Sequence, residues 1–130
     1  MEALERLLAE RAIEAMIVDY AALNDTGDWD AVAAMYLPQG RMSRPTAPDA
    51  FIEGRDAILT AFQARPARAS RHFVANVRVT IEGSSAAATS QILLFTAADK
   101  PPLIGTYADR LVLTDEGWRF SERRGSLDFT

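Results

Sequence analysis

Residues 13–35 read IEAMIVDYAALNDTGDWDAVAAM, and this stretch decides how the chain begins to fold. Its first half places apolar side chains three and four residues apart, as on one face of a helix: Ile13, Met16, Ile17, Tyr20 and Leu23. Gly27 suits the left-handed residue that ends a helix, and Asp28 suits the N-cap of a second helix over 28–36. Asp25 is therefore predicted at a corner between two helices, one turn beyond Tyr20 and on roughly the same side.

The composition is typical of one globular domain. The chain has 130 residues, of which 48% are hydrophobic and 25% charged, enough for a single core. Its net charge of −4 argues against a nucleic-acid or anionic-membrane surface, because both need an excess of basic residues. Basic residues do cluster locally, at Arg65, Arg68 and Arg71. We expect a soluble, cytoplasmic protein without nucleic-acid or membrane partners.

Residue counts also exclude several kinds of site. The absence of cysteine excludes disulfides, thiol nucleophiles and thiolate metal sites. The chain has one histidine, His72, so a zinc or non-haem iron site is not expected. No apolar run approaches the ~20 residues of a membrane span, and the acidic N-terminus is unlike a signal peptide. These features predict a protein without metal or cofactor.

The first half of the chain has helical spacing. A long helix is predicted over 2–26, and a third one from Arg55 or Asp56 to just before Pro66. Between the helices we expect only a short strand at 41–44. The following segment PTAPDA (45–50) is predicted to be an irregular loop, because its two prolines disfavour regular structure.

The second half of the chain alternates between apolar and polar residues. Four stretches with this pattern predict four long strands: 71–82, 86–97, 103–113 and 118–129. Helices followed by an antiparallel meander indicate an α+β fold, with the helices on one face of a curved sheet.

Four local strings in this order resemble the SnoaL-like branch of the nuclear transport factor 2-like superfamily: AALNDTGDWDAVAAMY (21–36), FIEGRDAI (51–58), RHFVANVRV (71–79) and IGTYADRLVLTDEGWRFSERR (104–124). The resemblance covers nearly the whole chain. It implies a single domain over 1–130, a cone-shaped α+β roll in which N-terminal helices pack on a curved mixed or antiparallel sheet. Because this superfamily contains dehydratases, isomerases, cyclases, dioxygenase subunits and proteins without chemistry, the fold does not select a function.

Within the superfamily the chain is most similar to lyase-like members such as scytalone dehydratase, bile-acid dehydratase and hexachlorocyclohexane dehydrochlorinase. These carry an aspartate just before a DW pair and a histidine at the start of the first long strand, and Asp25 and His72 match these positions. Tyr20 matches a tyrosine of the bile-acid enzymes. Two positions differ from scytalone dehydratase: Asn24 replaces a tyrosine of that enzyme, and residues 91–94 lack its second histidine. Scytalone itself is therefore not the expected substrate.

An Asp–His pair suits the removal of a proton next to a carbonyl. The carboxylate orients the imidazole and sets its tautomer, so that Nε2 can act as the base. The resemblance therefore implies that His72 is the base, Asp25 its orienting partner and Tyr20 a hydrogen-bond donor. It implies a cofactor-independent lyase or isomerase acting on a small hydrophobic molecule, cyclic or polyketide- or steroid-like.

Strict alternation along 71–82 conflicts with that role for His72. It places Phe73, Ala75, Val77, Val79 and Ile81 on the apolar face, and His72 with the polar residues of the other. A catalytic His72 needs either a β-bulge near Asn76 or a sheet face that helices cover at one end and leave open at the other.

Seven further side chains are candidates for substrate binding, as apolar walls or polar contacts of a pocket: Trp29, Met42, Phe51, Asn76, Gln91, Leu93 and Tyr107. The simpler interpretation of most of them is core packing or a polar group satisfied within the sheet. Arg123 and Arg124 are expected to be exposed.

Two other functions stay open on the sequence alone. The chain could be a non-catalytic small β-type subunit of a ring-hydroxylating dioxygenase, or a ligand-binding module that uses the same pocket without turnover. In all three cases we expect a homodimer or homotrimer through the sheet face. Ile92 and Leu94 alternate with Leu93 and Phe95, so both faces of that strand require cover.

Overall fold

The computed structural model describes residues 1–129 as an α+β domain. Within these residues lie three helices: α1 (Ala3–Thr26), α2 (Trp29–Ala34) and α3 (Arg55–Gln63). The strands are β1 (Tyr36–Arg44), β2 (Ala47–Glu53), β3 (Arg71–Glu82), β4 (Ser85–Phe95), β5 (Leu103–Thr114) and β6 (Gly117–Leu127). The predicted fold class is confirmed.

The strands form one mixed sheet in the order β2-β1-β6-β5-β4-β3. Strands β3 to β6 form the predicted antiparallel meander, and β1 pairs in parallel with β6. Helix α1 packs against β3, while α3 packs against α2 and β1. The helices therefore cover one face of the sheet, and a cavity lies between them and the strands.

The corner between α1 and α2 forms as the sequence predicts. Gly27 has a φ of 75° and its N–H donates to the Asn24 carbonyl at 3.2 Å. The side chain of Asp28 accepts a hydrogen bond from the Ala31 N–H at 3.3 Å, which caps α2. The left-handed residue lets the chain turn without a Cβ clash, so Asp25 in the last turn of α1 is held close to the sheet.

Two segments differ from the prediction. Helix α2 ends at Ala34 rather than at 36, and the strand expected at 41–44 already begins at Tyr36. The segment predicted as a loop over 45–50 instead enters β2, which contains Pro48. Strand β2 lies at the sheet edge and pairs only with β1, so the missing N–H of Pro48 is tolerated there.

The core joins α1 to the sheet. The predicted helix face is buried against strand residues in one cluster, whose members include Ile13, Ile17, Tyr20, Ile81, Leu111 and Phe120. Burying an aliphatic or aromatic side chain of this size contributes about 1.5–3 kcal/mol. This contact fixes the end of α1, and with it Asp25, relative to the strands.

A β-bulge interrupts β3 at Asn76. The pairing with β4 shifts between Ala75 and Arg78, and Asn76 has a φ of 53°. Beyond the bulge Val77 and Val79 pack on the core as predicted, but before it the alternation is reversed, and Phe73 is 57% exposed. The prediction that Phe73 and Ala75 share the core face is wrong. The bulge near Asn76 is one of the two conditions named for a catalytic His72, and the structure contains it.

A second bulge lies in β6. The pairing with β5 shifts so that Arg110 faces Glu122 and Leu111 faces Phe120, which leaves Ser121 as the extra residue. Phe120 and Arg123 are both buried as a result. The expectation that Arg123 is exposed is wrong, because the extra residue reverses which side chains face the core.

The outer face of the sheet carries exposed apolar side chains, among them Phe73, Leu93 and Phe129. Ile92 is buried on the opposite face, as the alternation along β4 predicts. The homodimer or homotrimer through this face stays a prediction. None of the helices within residues 1–129 is both long and apolar enough to cross a bilayer.

Candidate functional site

A cavity of about 360 Å³ lies between α1, α3 and the covered face of the sheet. Tyr20 and Asn24 line it from α1, and His72 lines it from the start of β3. Its walls are otherwise mostly apolar, and they include Met42, Phe62, Ile92, Leu94 and Leu103. A mostly apolar cavity with a few polar groups is the usual form of a small-molecule site.

Asp25 and His72 meet at this cavity. The His72 Nδ1 lies 2.5 Å from Oδ1 of Asp25, and the His72 backbone N–H donates to Oδ2 at 2.8 Å. The Ser70 hydroxyl donates to Oδ1 at 3.0 Å. The side chains of His72 and Asp25 are 11% and 12% exposed, so the pair is sheltered and still reached by solvent.

These hydrogen bonds decide the electrostatics of the pair. Burial by itself raises the pKa of the Asp25 carboxyl, but the hydrogen bonds from His72 and Ser70 outweigh it and lower the pKa below its ordinary value. Asp25 is then a carboxylate at neutral pH and can only accept. The proton of a neutral His72 ring therefore lies on Nδ1, and Nε2 keeps a free lone pair.

Tyr20 lies deeper in the same cavity. It is 4% exposed, and its hydroxyl is 2.8 Å from the hydroxyl of Tyr36. Burial, reinforced by Tyr107, raises the pKa of Tyr20 to about 12 although Arg123 opposes the rise. Tyr20 therefore keeps its proton at neutral pH.

A buried ion pair lies beneath this tyrosine. Arg123 Nε donates to Oδ1 of Asp109 at 2.9 Å, with side chains 2% and 0% exposed. The guanidinium carbon lies 4.2 Å from the ring centre of Tyr20 and 3.9 Å from that of Tyr107. Although burial lowers the pKa of Arg123, the Asp109 carboxylate raises it above the ordinary value. The arginine is thus a fixed positive charge under two tyrosine rings.

The sequence profile of the SnoaL-like domain matches residues 5–124. The chain belongs to the SnoaL-like family. Among curated proteins, none matches the chain significantly in sequence.

Solved structures show the same fold. An NTF2-like protein with a cystatin-like fold from Novosphingobium aromaticivorans is 26% identical, with a TM-score of 0.85 over 98% of this chain and 88% of that one. A candidate scytalone dehydratase from the same organism is 25% identical, with a TM-score of 0.82 over 95% and 87%. A LinA-type hexachlorocyclohexane dehydrochlorinase from Novosphingobium barchaimii is 15% identical, with a TM-score of 0.84 over 98% and 92%; it shares the fold.

In this SnoaL-like domain the predicted binding residues fall into three places. Met42 and Tyr107 line the cavity with His72. Trp29 stacks on Phe62 with ring centres 5.1 Å apart and lines an adjoining cavity of about 250 Å³, which also reaches Asp25 and His72. Whether any of these side chains contacts a substrate stays a prediction.

The other four predicted binding residues do not line the cavity. Asn76, Gln91 and Leu93 lie on the outer face of the sheet, where the Asn76 amide donates to Gln91 Oε1 at 2.5 Å. Phe51 lies on β2 beneath Arg41, whose guanidinium carbon is 4.0 Å from its ring centre. The strand alternation that brings Ile92 inward turns Gln91 and Leu93 outward. Whether any of the four contacts a substrate stays a prediction.

Several residues of the SnoaL-like site were not predicted from sequence. Ser70 orients Asp25, Tyr36 holds the Tyr20 hydroxyl, and Arg123 lies under the tyrosines. Ser70 stands two residues before His72, which places it near the dyad, but nothing in its neighbourhood marks it as a partner. Within residues 1–129 no three His, Asp or Glu side chains are placed to hold a metal ion.

Proposed function

We propose that this SnoaL-like domain is a cofactor-independent lyase or isomerase. It would remove a proton next to a carbonyl in a small hydrophobic, cyclic molecule. The observation that carries the proposal is the contact of 2.5 Å between Asp25 and His72 at the wall of an apolar cavity. The 25% identity to a candidate scytalone dehydratase supports the same class of reaction.

The proposed first step is a proton transfer. Nε2 of His72 takes the proton from the carbon, and the electrons of the C–H bond form an enolate. Asp25 holds the ring in place and stabilises the imidazolium that results. In an elimination, the enolate expels a hydroxide from the β-carbon, and the imidazolium returns its proton to form water. In an isomerisation, the same proton returns to another carbon.

A hydrogen-bond donor must stabilise the negative oxygen of the enolate. Tyr20 is suited to this role because it lines the cavity and, with a pKa of about 12, stays protonated. It stabilises the oxygen by hydrogen bonding and does not transfer its proton. Tyr107 lines the same cavity and offers a second hydroxyl.

The size and lining of the cavity support the substrate class. A volume of about 360 Å³ lies near the lower end of the range of roughly 300–1,000 Å³ found for small-molecule sites. Aliphatic side chains such as Ile92 and Leu94 favour a hydrocarbon skeleton.

The test is proton exchange at carbon. The protein is incubated in D₂O with a panel of cyclic ketones and β-hydroxy ketones, and proton NMR follows α-proton exchange and elimination. We expect turnover of at least one compound, and His72→Gln and Asp25→Asn each to lower its rate by about 10²–10⁴-fold. The matched control is Arg78→Gln, a change on the exposed outer face of β3, which should keep the rate.

Equal rates in the wild type and in His72→Gln would contradict the proposal. Binding of the ketones without any exchange of their α-protons would instead identify a ligand-binding module. Circular dichroism of each variant checks that the fold is kept.

A further inference from the structure

Three arginines line the cavity in addition to the groups of the proposed reaction. Arg44 comes from the end of β1, and Arg65 and Arg68 come from the segment that follows α3. Arg65 and Arg68 also line the adjoining cavity that reaches Asp25. Arg68 is exposed and Arg65 is half-buried, so the cluster lies where solvent meets the cavity.

These arginines have no acidic partner within residues 1–129. The ion pairs there involve Arg41, Arg123, Arg124 and His72, and none involves the three arginines of the cavity. Asp25, which lines the adjoining cavity with Arg65 and Arg68, already accepts hydrogen bonds from His72 and Ser70. The chain as a whole has a net charge of −4, whereas these three arginines form a local cluster of positive charge without an acidic partner among the described residues.

Arg44 has unused hydrogen-bonding capacity. Its Nη2 donates to the Ala61 carbonyl at 3.2 Å, but its Nε is buried and finds no acceptor among the described residues. A buried donor without an acceptor costs stability and is uncommon in native proteins. An acceptor supplied by a ligand would satisfy it.

The positive charges also act on one another. Burial is the largest cause that lowers the pKa of Arg65. The positive charge of Arg44, and then that of Arg68, lower it further. The Arg65 guanidinium carbon lies 4.6 Å from the ring centre of Phe62, so this charge is held against the wall of the cavity. Like charges held together without a counter-ion attract an anion strongly, more so beside a low-dielectric wall.

We propose that the substrate carries a carboxylate, which Arg65 and Arg44 bind at the cavity mouth while its hydrocarbon part extends toward His72. Guanidinium groups match the two oxygens of a carboxylate geometrically, and such charge-assisted hydrogen bonds are strong. This inference specifies the substrate class of the proposed reaction. It rests on the proposed function only in calling the bound acid a substrate. The binding of the acid group does not depend on turnover.

The experiment compares two ligands that differ in charge. Isothermal titration calorimetry measures the binding of 2-naphthoate and of the neutral 2-naphthamide, in a dilute buffer free of phosphate and carboxylates. We expect the naphthoate to bind about tenfold or more tightly, because one charge-assisted contact supplies that ratio. In Arg44→Gln/Arg65→Gln the ratio should approach one, while Arg78→Gln on the outer face keeps it.

Arg65→Gln alone provides a second variant if the double one does not fold, because it leaves the hydrogen bond from Arg44 to the Ala61 carbonyl in place. It should lower the ratio in the same direction. NMR shifts of the His72 ring on adding naphthoate check that the ligand enters the cavity.

Equal affinities for the two ligands would overturn the inference, as would no naphthoate binding up to about 10 mM or a ratio that the arginine variants leave unchanged. His72→Gln separates this test from that of the reaction. Retained selectivity in His72→Gln supports an arginine site even if the domain proves not to be an enzyme. Loss of selectivity in that variant would assign the anion to the imidazolium and contradict the inference.

Discussion

Two aspartates close to the cavity are each paired with a nitrogen base, and the two pairs differ in burial, in hydrogen bonding and in the base itself. Asp25 and His72 are 12% and 11% exposed, while Asp109 and Arg123 are 0% and 2% exposed. Asp25 accepts hydrogen bonds from the His72 ring, the His72 N–H and Ser70. Asp109 accepts one from Arg123, and its Oδ2 is buried without a partner among the described residues.

The pKa values of the two carboxyls shift in opposite directions as a result. Burial raises the pKa of Asp109, and Arg123 offsets only part of that rise. Burial acts on Asp25 in the same sense, but its hydrogen bonds lower the pKa below the ordinary value. The deeper burial of Asp109 and its smaller number of hydrogen-bond donors together give the opposite directions.

The partners of the two carboxyls also differ in what they can do. A guanidinium holds its charge throughout the accessible pH range, so Arg123 supplies a constant field under Tyr20 and Tyr107. An imidazole can gain and lose a proton near neutral pH. Only the Asp25–His72 pair is therefore suited to proton transfer, and the Asp109–Arg123 pair is suited to holding the tyrosines.

The largest effect is expected from breaking the buried pair. Arg123→Met leaves Asp109 buried without a counter-charge, which should lower the free energy of unfolding by about 3–5 kcal/mol. Urea denaturation measures it. The double change Asp109→Asn/Arg123→Met removes both charges and should recover most of the loss. A single variant as stable as the wild type would show that Asp109 does not need the charge of Arg123 in the folded state.

A smaller effect is expected from the bulge that turns His72 toward the cavity. Asn76 has a φ of 53°, where a residue with a branched side chain is strained by about 1–2 kcal/mol. Asn76→Val should lose about that much stability in urea and shift the His72 ring signals in NMR, while the Asp109–Arg123 pair is unaffected. Asn76→Gly tolerates the left-handed conformation and serves as the matched control. If valine and glycine behave alike, the conformation of Asn76 does not place His72.

The smallest effect is expected in how the free energy of unfolding changes with pH. The pKa of Asp25 is lowered on folding, so its contribution to stability is present above the ordinary value and is lost as the pH falls through the lowered one. In Asp25→Asn the free energy of unfolding should therefore fall less steeply as the pH drops below about 4. The pKa of Asp109 is raised on folding, so stability is gained as the pH falls through the raised value.

Asp109→Asn should accordingly steepen the loss of stability with acid, in the opposite sense to Asp25→Asn. Urea titrations between about pH 3 and pH 6 compare the two variants with the wild type. Parallel profiles of all three proteins would refute the opposite signs.

The sequence predicted the Asp25–His72 contact more accurately than the rest of the site. Gly27 and Asp28 mark the helix corner, and the resemblance pairs Asp25 with His72. The bulge that the contact requires has a visible signal, since asparagine tolerates positive φ better than most residues. Arg123 was missed because the second bulge falls at Ser121, which carries no comparable signal.

The position of four binding candidates outside the cavity has a related cause. Gln91 and Leu93 alternate with Ile92, and both faces of β4 carry apolar side chains, so the sequence does not tell which face meets the helices. Phe51 directly follows the segment predicted as a loop, whereas it lies on edge strand β2 beneath Arg41. Arg44 and Arg65 come together only because β1 and the end of α3 converge at the cavity.

The sequence by itself determined the three helices, the four long strands and their order, because helix periodicity, the Gly27–Asp28 corner and strand alternation are local properties. The tertiary structure decided which face of each strand is inside. One extra residue in a strand reverses every side chain beyond it, and pairing with the neighbouring strand determines whether that residue is accommodated. The bulges at Asn76 and Ser121 place His72 and Arg123 inside the domain, and both depend on contacts between residues distant in the chain.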